Sequence, residues 1–203
     1  MSFFQNTCKP SGLGGRLMVK MMNSGDTNLA DWGFSQIQAK ADARVLDAGC
    51  GGGANVAVWL KQCPKGRVTG MDYSEISVAE TRKINDAAIK AGRCDVVQGN
   101  AAAMPFQAET FDVVSAFETV YFWPGLEACF AEVNRVMKRG GTFMICNECD
   151  GTNAADEKWQ KMIDGMRIYP EEELRAALEK AGFTEIESRR ETKKHWLCML
   201  AKK

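Results

Sequence analysis

The chain has 203 residues, 26 basic and 26 acidic side chains and one histidine, so its formal net charge at neutral pH is zero. That balance leaves no electrostatic footprint for nucleic acid. No apolar run of roughly 18 residues is present to span a membrane, and the opening Met1-Ser2-Phe3-Phe4-Gln5-Asn6 lacks the charged and apolar regions of a secretion signal. The length suits a single core that buries about 70% of the unfolded surface. Eight scattered cysteines read as reduced thiols of a cytoplasmic protein, not as a disulfide framework.

Two regions follow in chain order. Residues 1–42 are rich in glycine and methionine (Gly12, Gly14, Gly15, then Met18, Met21 and Met22) and show no alternation of strand and helix patterns. From Ala43 onward, short apolar runs alternate with helical patterns, the mark of a parallel sheet with crossover helices. Arg44 to Ala48 reads as a strand and Asn55 to Gln62 as its helix. Val68 to Met71 is a second strand ending at Asp72. The capping-box pattern Ser77-x-x-Glu80 predicts the next helix start, with Ile84, Ala87, Ala88 and Ala91 as its buried stripe and Gly92 as its stop. Val96-Val97 and Phe111 to Ala116 are the third and fourth strands. Leu126 to Met137 is a helix with Leu126, Cys129, Phe130, Val133 and Met137 on one face, stopped by Lys138-Arg139-Gly140-Gly141 before a strand from Thr142 to Cys146. Pro170 opens a last helix with Leu174, Ala177, Leu178 and Ala181 as its stripe. Glu185 to Ser188 and Trp196 to Leu200 then read as an antiparallel pair.

The first strand runs into Asp47-Ala48-Gly49-Cys50-Gly51-Gly52-Gly53, a glycine-rich turn that opens a helix. Glycines allow a sharp turn and close backbone approach to a ligand, and the helix start offers unpaired N–H groups. A dinucleotide-binding turn keeps the position of Asp47 apolar; a carboxylate there repels pyrophosphate and suits an ammonium or sulfonium ligand. Asp72 lies 21 residues after Gly51, at the end of the second strand, where a carboxylate can accept from ribose hydroxyls.

With these motifs, residues 43–201 resemble the class I S-adenosylmethionine-dependent methyltransferases. The resemblance implies a three-layer α/β/α Rossmann-like sandwich, with a mostly parallel seven-stranded sheet whose last strand is antiparallel. It implies S-adenosylmethionine as cofactor, with Asp47, Gly49, Cys50, Gly51 and Gly53 holding its methionine part and Asp72 its ribose. Tyr73 would lie against the adenine, or be an ordinary exposed aromatic. The segment Gly99-Asn100-Ala101-Ala102-Ala103-Met104-Pro105-Phe106 resembles the family's Gly-Asp-Ala-x-x-Leu-Pro-Phe, so Asn100 and Ala101 would meet the adenine edge, with Asn100 an uncharged acceptor in place of Asp. Phe117 would complete the cofactor site.

Residues after the fourth strand lie at the carboxyl edge where open α/β sheets bind ligands. Glu118 and Tyr121 are the candidate catalytic groups there, Glu118 as a proton acceptor or cation partner, or else a loop carboxylate. Trp123, with Trp32, Met18 and Met22 from the N-terminal region, either walls an acceptor pocket or builds core. Residues 1–42 are accordingly expected to form a helical lid and substrate cover on a methyltransferase domain of residues 43–203. His195, far in sequence from every ligand motif, reads as a solvated strand-end histidine. Cys146-x-x-Cys149 lacks the second pair that zinc needs, so no metal is assigned.

The expected activity is methyl transfer to a small-molecule acceptor. The charge balance and the absence of an Asn-Pro-Pro-Tyr motif after the fourth strand speak against nucleic acid. Two alternatives stay open: a non-catalytic S-adenosylmethionine-binding partner subunit, and an NAD-dependent oxidoreductase. Asp47 and the lack of a Tyr-x-x-x-Lys pair disfavour the second. The acceptor atom and the oligomeric state are not legible.

Overall fold

The structure, a computed structural model, describes residues 27–203. Its elements are α1 (Thr27–Ser35), β1 (Arg44–Ala48), α2 (Ala54–Gln62), β2 (Arg67–Asp72), α3 (Glu75–Ile84), α4 (Asp86–Lys90), β3 (Cys94–Gln98), β4 (Phe111–Phe117), a 3-10 turn (Val120–Phe122), α5 (Leu126–Val136), β5 (Met137–Asn147), α6 (Ala154–Met162), α7 (Glu171–Lys180), β6 (Thr184–Glu191) and β7 (Trp196–Lys202). The strands form one seven-stranded sheet in the order β3-β2-β1-β4-β5-β7-β6. β7 is antiparallel to both of its neighbours, and the other pairings are parallel, as the expected Rossmann-like architecture requires. β1 and β4 are neighbours, so the chain winds outward in opposite directions from them and opens a crevice at their carboxyl ends.

Side-chain alternation along the strands divides the core in two. Leu46, Ala48, Val114, Ala116, Phe143 and Ile145 face α5 and α7, while Val45, Val113, Phe117, Met144 and Cys146 face α1 and α2. Helix α5 places Leu126, Cys129, Phe130 and Val133 inward as its periodicity predicts. Phe130 is fully buried with its ring 5.4 Å from that of Phe143. Phe130→Ala should therefore cost about 3–5 kcal/mol of stability through the cavity it leaves, read as a lowered denaturation midpoint; a loss below about 1 kcal/mol would contradict this packing.

Several sequence expectations are corrected. Helix α3 starts at Glu75, ahead of the Ser77-x-x-Glu80 pattern, because Asp72 Oδ1 accepts from Ser74 N and turns the chain at once; Ser74 is the cap and accepts from Ser77 N. The expected stripe Ile84, Ala87, Ala88 and Ala91 is out of phase. Asn85 is buried and donates to Thr81 O and Gly53 O, which ends α3 and leaves Ile84 46% exposed. β5 begins at Met137 directly after α5, and the Gly140-Gly141 pair lies inside the strand where its register against β4 shifts. β6 runs on to Glu191, carrying Arg189 and Arg190 on an exposed edge, where charge discourages further strand pairing. Helix α6 has no sequence expectation behind it; its start is fixed by a capping box between Asn153 and Asp156. No helix among the described residues is long and apolar enough to cross a membrane.

Candidate active site

The turn after β1 folds back onto the end of β2. Gly49 N and Cys50 N both donate to Met71 O, at 2.7 and 3.0 Å, and Gly51 N donates to Asp72 Oδ2 at 2.9 Å. From α3, Thr81 Oγ1 donates to Gly51 O at 2.8 Å. The backbone passes through the left-handed region at Gly49 and Gly51, and at each a side chain is excluded or unsupported for its own reason. A Cβ on Gly49 would sit 2.0 Å from Thr119 Oγ1, whereas one on Gly51 would meet nothing within 4 Å. Gly49 thus seats the turn against the β4 end, and Gly51 faces open space beside Asp72. Gly53 caps α2.

Two carboxylates flank this turn. Asp72 accepts from Gly51 N through one oxygen and from Ser74 N through the other, and burial raises its pKa against these bonds. Asp47 is more deeply buried. Its Oδ1 accepts from Ser115 Oγ at 2.7 Å, and Ser115, its register partner on β4, accepts in turn from Trp59 Nε1 at 2.9 Å. Asp47 Oδ2 is buried and has no hydrogen-bond partner among the described residues. Desolvation raises the Asp47 carboxyl to about 7, Ser115 opposes the rise and the Asp72 charge adds to it. A buried carboxylate oxygen without a donor is expensive unless a ligand supplies one. An amino-acid ammonium is such a donor.

In the loop after β3, Asn100 Oδ1 accepts from Ala102 N at 2.9 Å, so the oxygen expected to meet an adenine amino group also holds a local turn. Ala101 is buried beneath it, and Tyr73 stands 42% exposed at the β2 end. Arg135 of α5 clamps this loop by donating to Met104 O and Phe106 O.

At the end of β4, Glu118 adopts a left-handed backbone, φ 56°. Its Oε1 accepts from Tyr121 OH at 3.1 Å and from Glu148 N. Tyr121 OH also accepts from Cys149 N at 2.9 Å, and burial beside Glu118 lifts its pKa well above the usual tyrosine value. The two candidate catalytic residues are thus brought together, tying the β4 end to the β5 end.

The expected acceptor-pocket residues are dispersed. Trp123 takes the core alternative: it is buried against Phe130 and stacked with Phe143, with Nε1 donating to Thr119 Oγ1, because the 3-10 turn rolls it toward α5. Trp32 is half-buried with its ring 5.8 Å from that of Trp196. Phe117 packs on Phe34 of α1, ring centroids 4.9 Å apart. Met18 and Met22 lie outside the described residues. His195 lies with its Nδ1 3.2 Å from Thr152 Oγ1 and 3.6 Å from Asp150 Oδ1.

Residues 46–145 match the family model described as a methyltransferase domain. Residues 46–145 thus form a class I S-adenosylmethionine-dependent methyltransferase domain. The chain is 32% identical over 114 residues to cycloartenol-C-24-methyltransferase 1 of Oryza sativa subsp. japonica, covering 56% of this chain and 33% of that one. To squalene methyltransferase 1 of Botryococcus braunii it is 35% identical over 109 residues, covering 54% and 29%. The matches thus span about a third of the length of these curated relatives. In fold it is similar to a chain from the complex between the Haloferax volcanii Trm112 methyltransferase activator and a methyltransferase, with a TM-score of 0.80 at 20% identity, covering 91% of this chain and 93% of that one. S-adenosylmethionine is the cofactor of this family, and the unpartnered Asp47 oxygen and the open face of Gly51 fit it.

Within the methyltransferase fold, sequence reasoning missed Ser115, Trp59 and Asn147. The first two act only through contacts between distant elements. Asn147 ends β5, just beyond the matched region, on the face shared by Phe143 and Ile145. It is 0% exposed, and neither its Oδ1 nor its Nδ2 has a partner among the described residues. Replacement by Leu should raise stability by about 1–3 kcal/mol, since an unpaired buried amide carries its full desolvation penalty. A lowered melting temperature for Asn147→Leu would show that the amide is satisfied by groups other than these.

Proposed function

We propose that this chain transfers the methyl group of S-adenosylmethionine to a small organic acceptor and releases S-adenosylhomocysteine. The observation that carries the reading is Asp47 Oδ2, a buried carboxylate oxygen without a donor at the base of the glycine turn. In this reading Asp47 and residues 49–53 hold the methionine part, Asp72 the ribose, and Tyr73, Asn100 and Ala101 the adenine. Phe117 completes the cofactor site and Trp32 bounds the acceptor side; the lid proposed for residues 1–42 would include Met18 and Met22, which lie outside the described residues. The packing of Phe34 on Phe117 and Trp59 supports a cover that starts at α1.

When bound, the cofactor supplies a methyl group already activated by its sulfonium, so the protein's part is chiefly positioning and exclusion of water. Glu118 accepts from both Tyr121 and Glu148, which holds its carboxylate to the fold. The acceptor best matched to that arrangement has a nucleophile that needs no deprotonation before attack, such as an alkene π bond or an amine. The names of the relatives, a cycloartenol-C-24-methyltransferase and a squalene methyltransferase, favour carbon.

Incubation with methyl-labelled S-adenosylmethionine and cycloartenol, squalene, or simple amine, thiol and phenol probes tests this. Label entering an acceptor in step with S-adenosylhomocysteine release is expected. Tight cofactor binding with no release for any probe would instead favour the non-catalytic binding subunit, which the tied-down Glu118 also permits.

A further inference from the structure

We propose that Ser115, held by Trp59, is a positioning residue that favours the ionised form of Asp47 and aims its second oxygen at the cofactor ammonium, so that cofactor binding below neutral pH is coupled to loss of one proton. The inference rests on the reading of S-adenosylmethionine as the ligand. The geometry is a chain of donors across three elements: Trp59 Nε1 of α2 to Ser115 Oγ at 2.9 Å, and Ser115 Oγ to Asp47 Oδ1 at 2.7 Å. With its lone pair occupied by the indole N–H, the serine hydroxyl is left to point its own proton at the carboxylate. That fixes the carboxyl plane and leaves Oδ2 alone available to a ligand. Trp59 is itself fully buried and braced edge-on by Phe34, so the relay has one setting.

Among the described residues, the ionisable groups set against Asp47 are Asp72 from β2 and Cys50 from the turn. Neither offers it a positive charge. Asp72 disfavours a second carboxylate, and burial keeps the Cys50 thiol protonated. Ser115 is therefore the group that works against the desolvation of Asp47, whose carboxyl sits near neutrality at about 7. A cationic ligand needs the ionised form. Below that midpoint a bound proton must leave before the ammonium can pair, so affinity falls with falling pH and protons are released on binding.

The test is titration of the full chain with S-adenosylhomocysteine between about pH 5.5 and 8, for wild type, Ser115→Ala and Ser115→Thr, in two buffers of different ionisation enthalpy. Wild-type affinity should drop about tenfold per pH unit below the midpoint, with close to one proton released per ligand. Ser115→Ala removes the opposing hydrogen bond, so its midpoint moves up and its loss of affinity, about tenfold near neutral pH, narrows as pH rises. Ser115→Thr keeps the hydroxyl and should restore the wild-type profile. Ser115 does not bond to Asp72, so a moved midpoint belongs to Asp47. If Ser115→Ala does not fold, Trp59→Phe removes the outer donor and is expected to shift the profile in the same direction. A loss of equal size at every pH, or a flat wild-type profile, overturns the proposal. Absence of wild-type binding at any pH overturns the cofactor reading and this inference with it.

Discussion

Asp72→Ala is expected to weaken S-adenosylmethionine binding by at least about a hundredfold while the protein still folds. The carboxylate has two tasks in the structure. It accepts from Gly51 N and Ser74 N, which joins the glycine turn to the start of α3, and its remaining lone pairs are the acceptors proposed for the ribose hydroxyls. Hydrogen bonds to a charged group contribute about 1.5–3 kcal/mol each, so losing two to the ligand accounts for the expected factor before any loosening of the turn. Stability should change less, because burial already raises the Asp72 pKa and removing the carboxylate removes that penalty along with its bonds. Calorimetric titration beside a melting curve separates the two effects. Unchanged affinity with a normal melt would remove Asp72 from the site.

The second large effect sets stability against binding at Asp47. Below its ordinary carboxyl pKa of 3.8 the residue is protonated in both folded and unfolded chains. Between there and about 7 the folded chain keeps a proton that the unfolded chain gives up, so stability falls as pH rises, and the full penalty is present above about 7. The displacement of about three units amounts to at most about 4 kcal/mol. Asn cannot ionise, so Asp47→Asn should flatten this slope. Its amide leaves a buried N–H₂ group to satisfy at about 1–3 kcal/mol, and the net gain expected at pH 8 is about 1–3 kcal/mol, or a few degrees in melting temperature. Near pH 4 the gain should turn into a loss of about 1–3 kcal/mol, the cost of the buried amide alone. Cofactor affinity should fall at least tenfold, since the ammonium loses its counter-charge. Such a trade is the usual mark of a group kept for function. A variant less stable than wild type at pH 8 that still binds normally would contradict the role of Asp47.

What could be read from the chain follows the range of the interactions. The strand-turn-helix around Asp47 to Gly53 and the acid at Asp72 are local patterns with local causes, and both stand where they were expected. The alternation of strands and helices indicated the parallel strands and the antiparallel β6-β7 pair, while the full seven-stranded sheet was what the family resemblance implied. Long-range partners were not legible: nothing near Ser115 in sequence announces that Trp59 and Asp47 meet it, and Asn147 is an ordinary strand-end residue until its burial is seen. Local competition misled at Asn85, which interrupts a helix whose apolar residues alone predict continuity; Trp123 takes the core place that was one of its two readings, because the turn after Glu118 directs it there.

The crevice at Asp47 and Asp72 is proposed to take a sulfonium nucleoside and not a dinucleotide. Parallel calorimetric titration of the wild-type chain with S-adenosylmethionine, S-adenosylhomocysteine and NAD tests it most directly. Micromolar binding of the first two, with no heat from NAD, is the predicted result; binding of NAD in preference to both would contradict it.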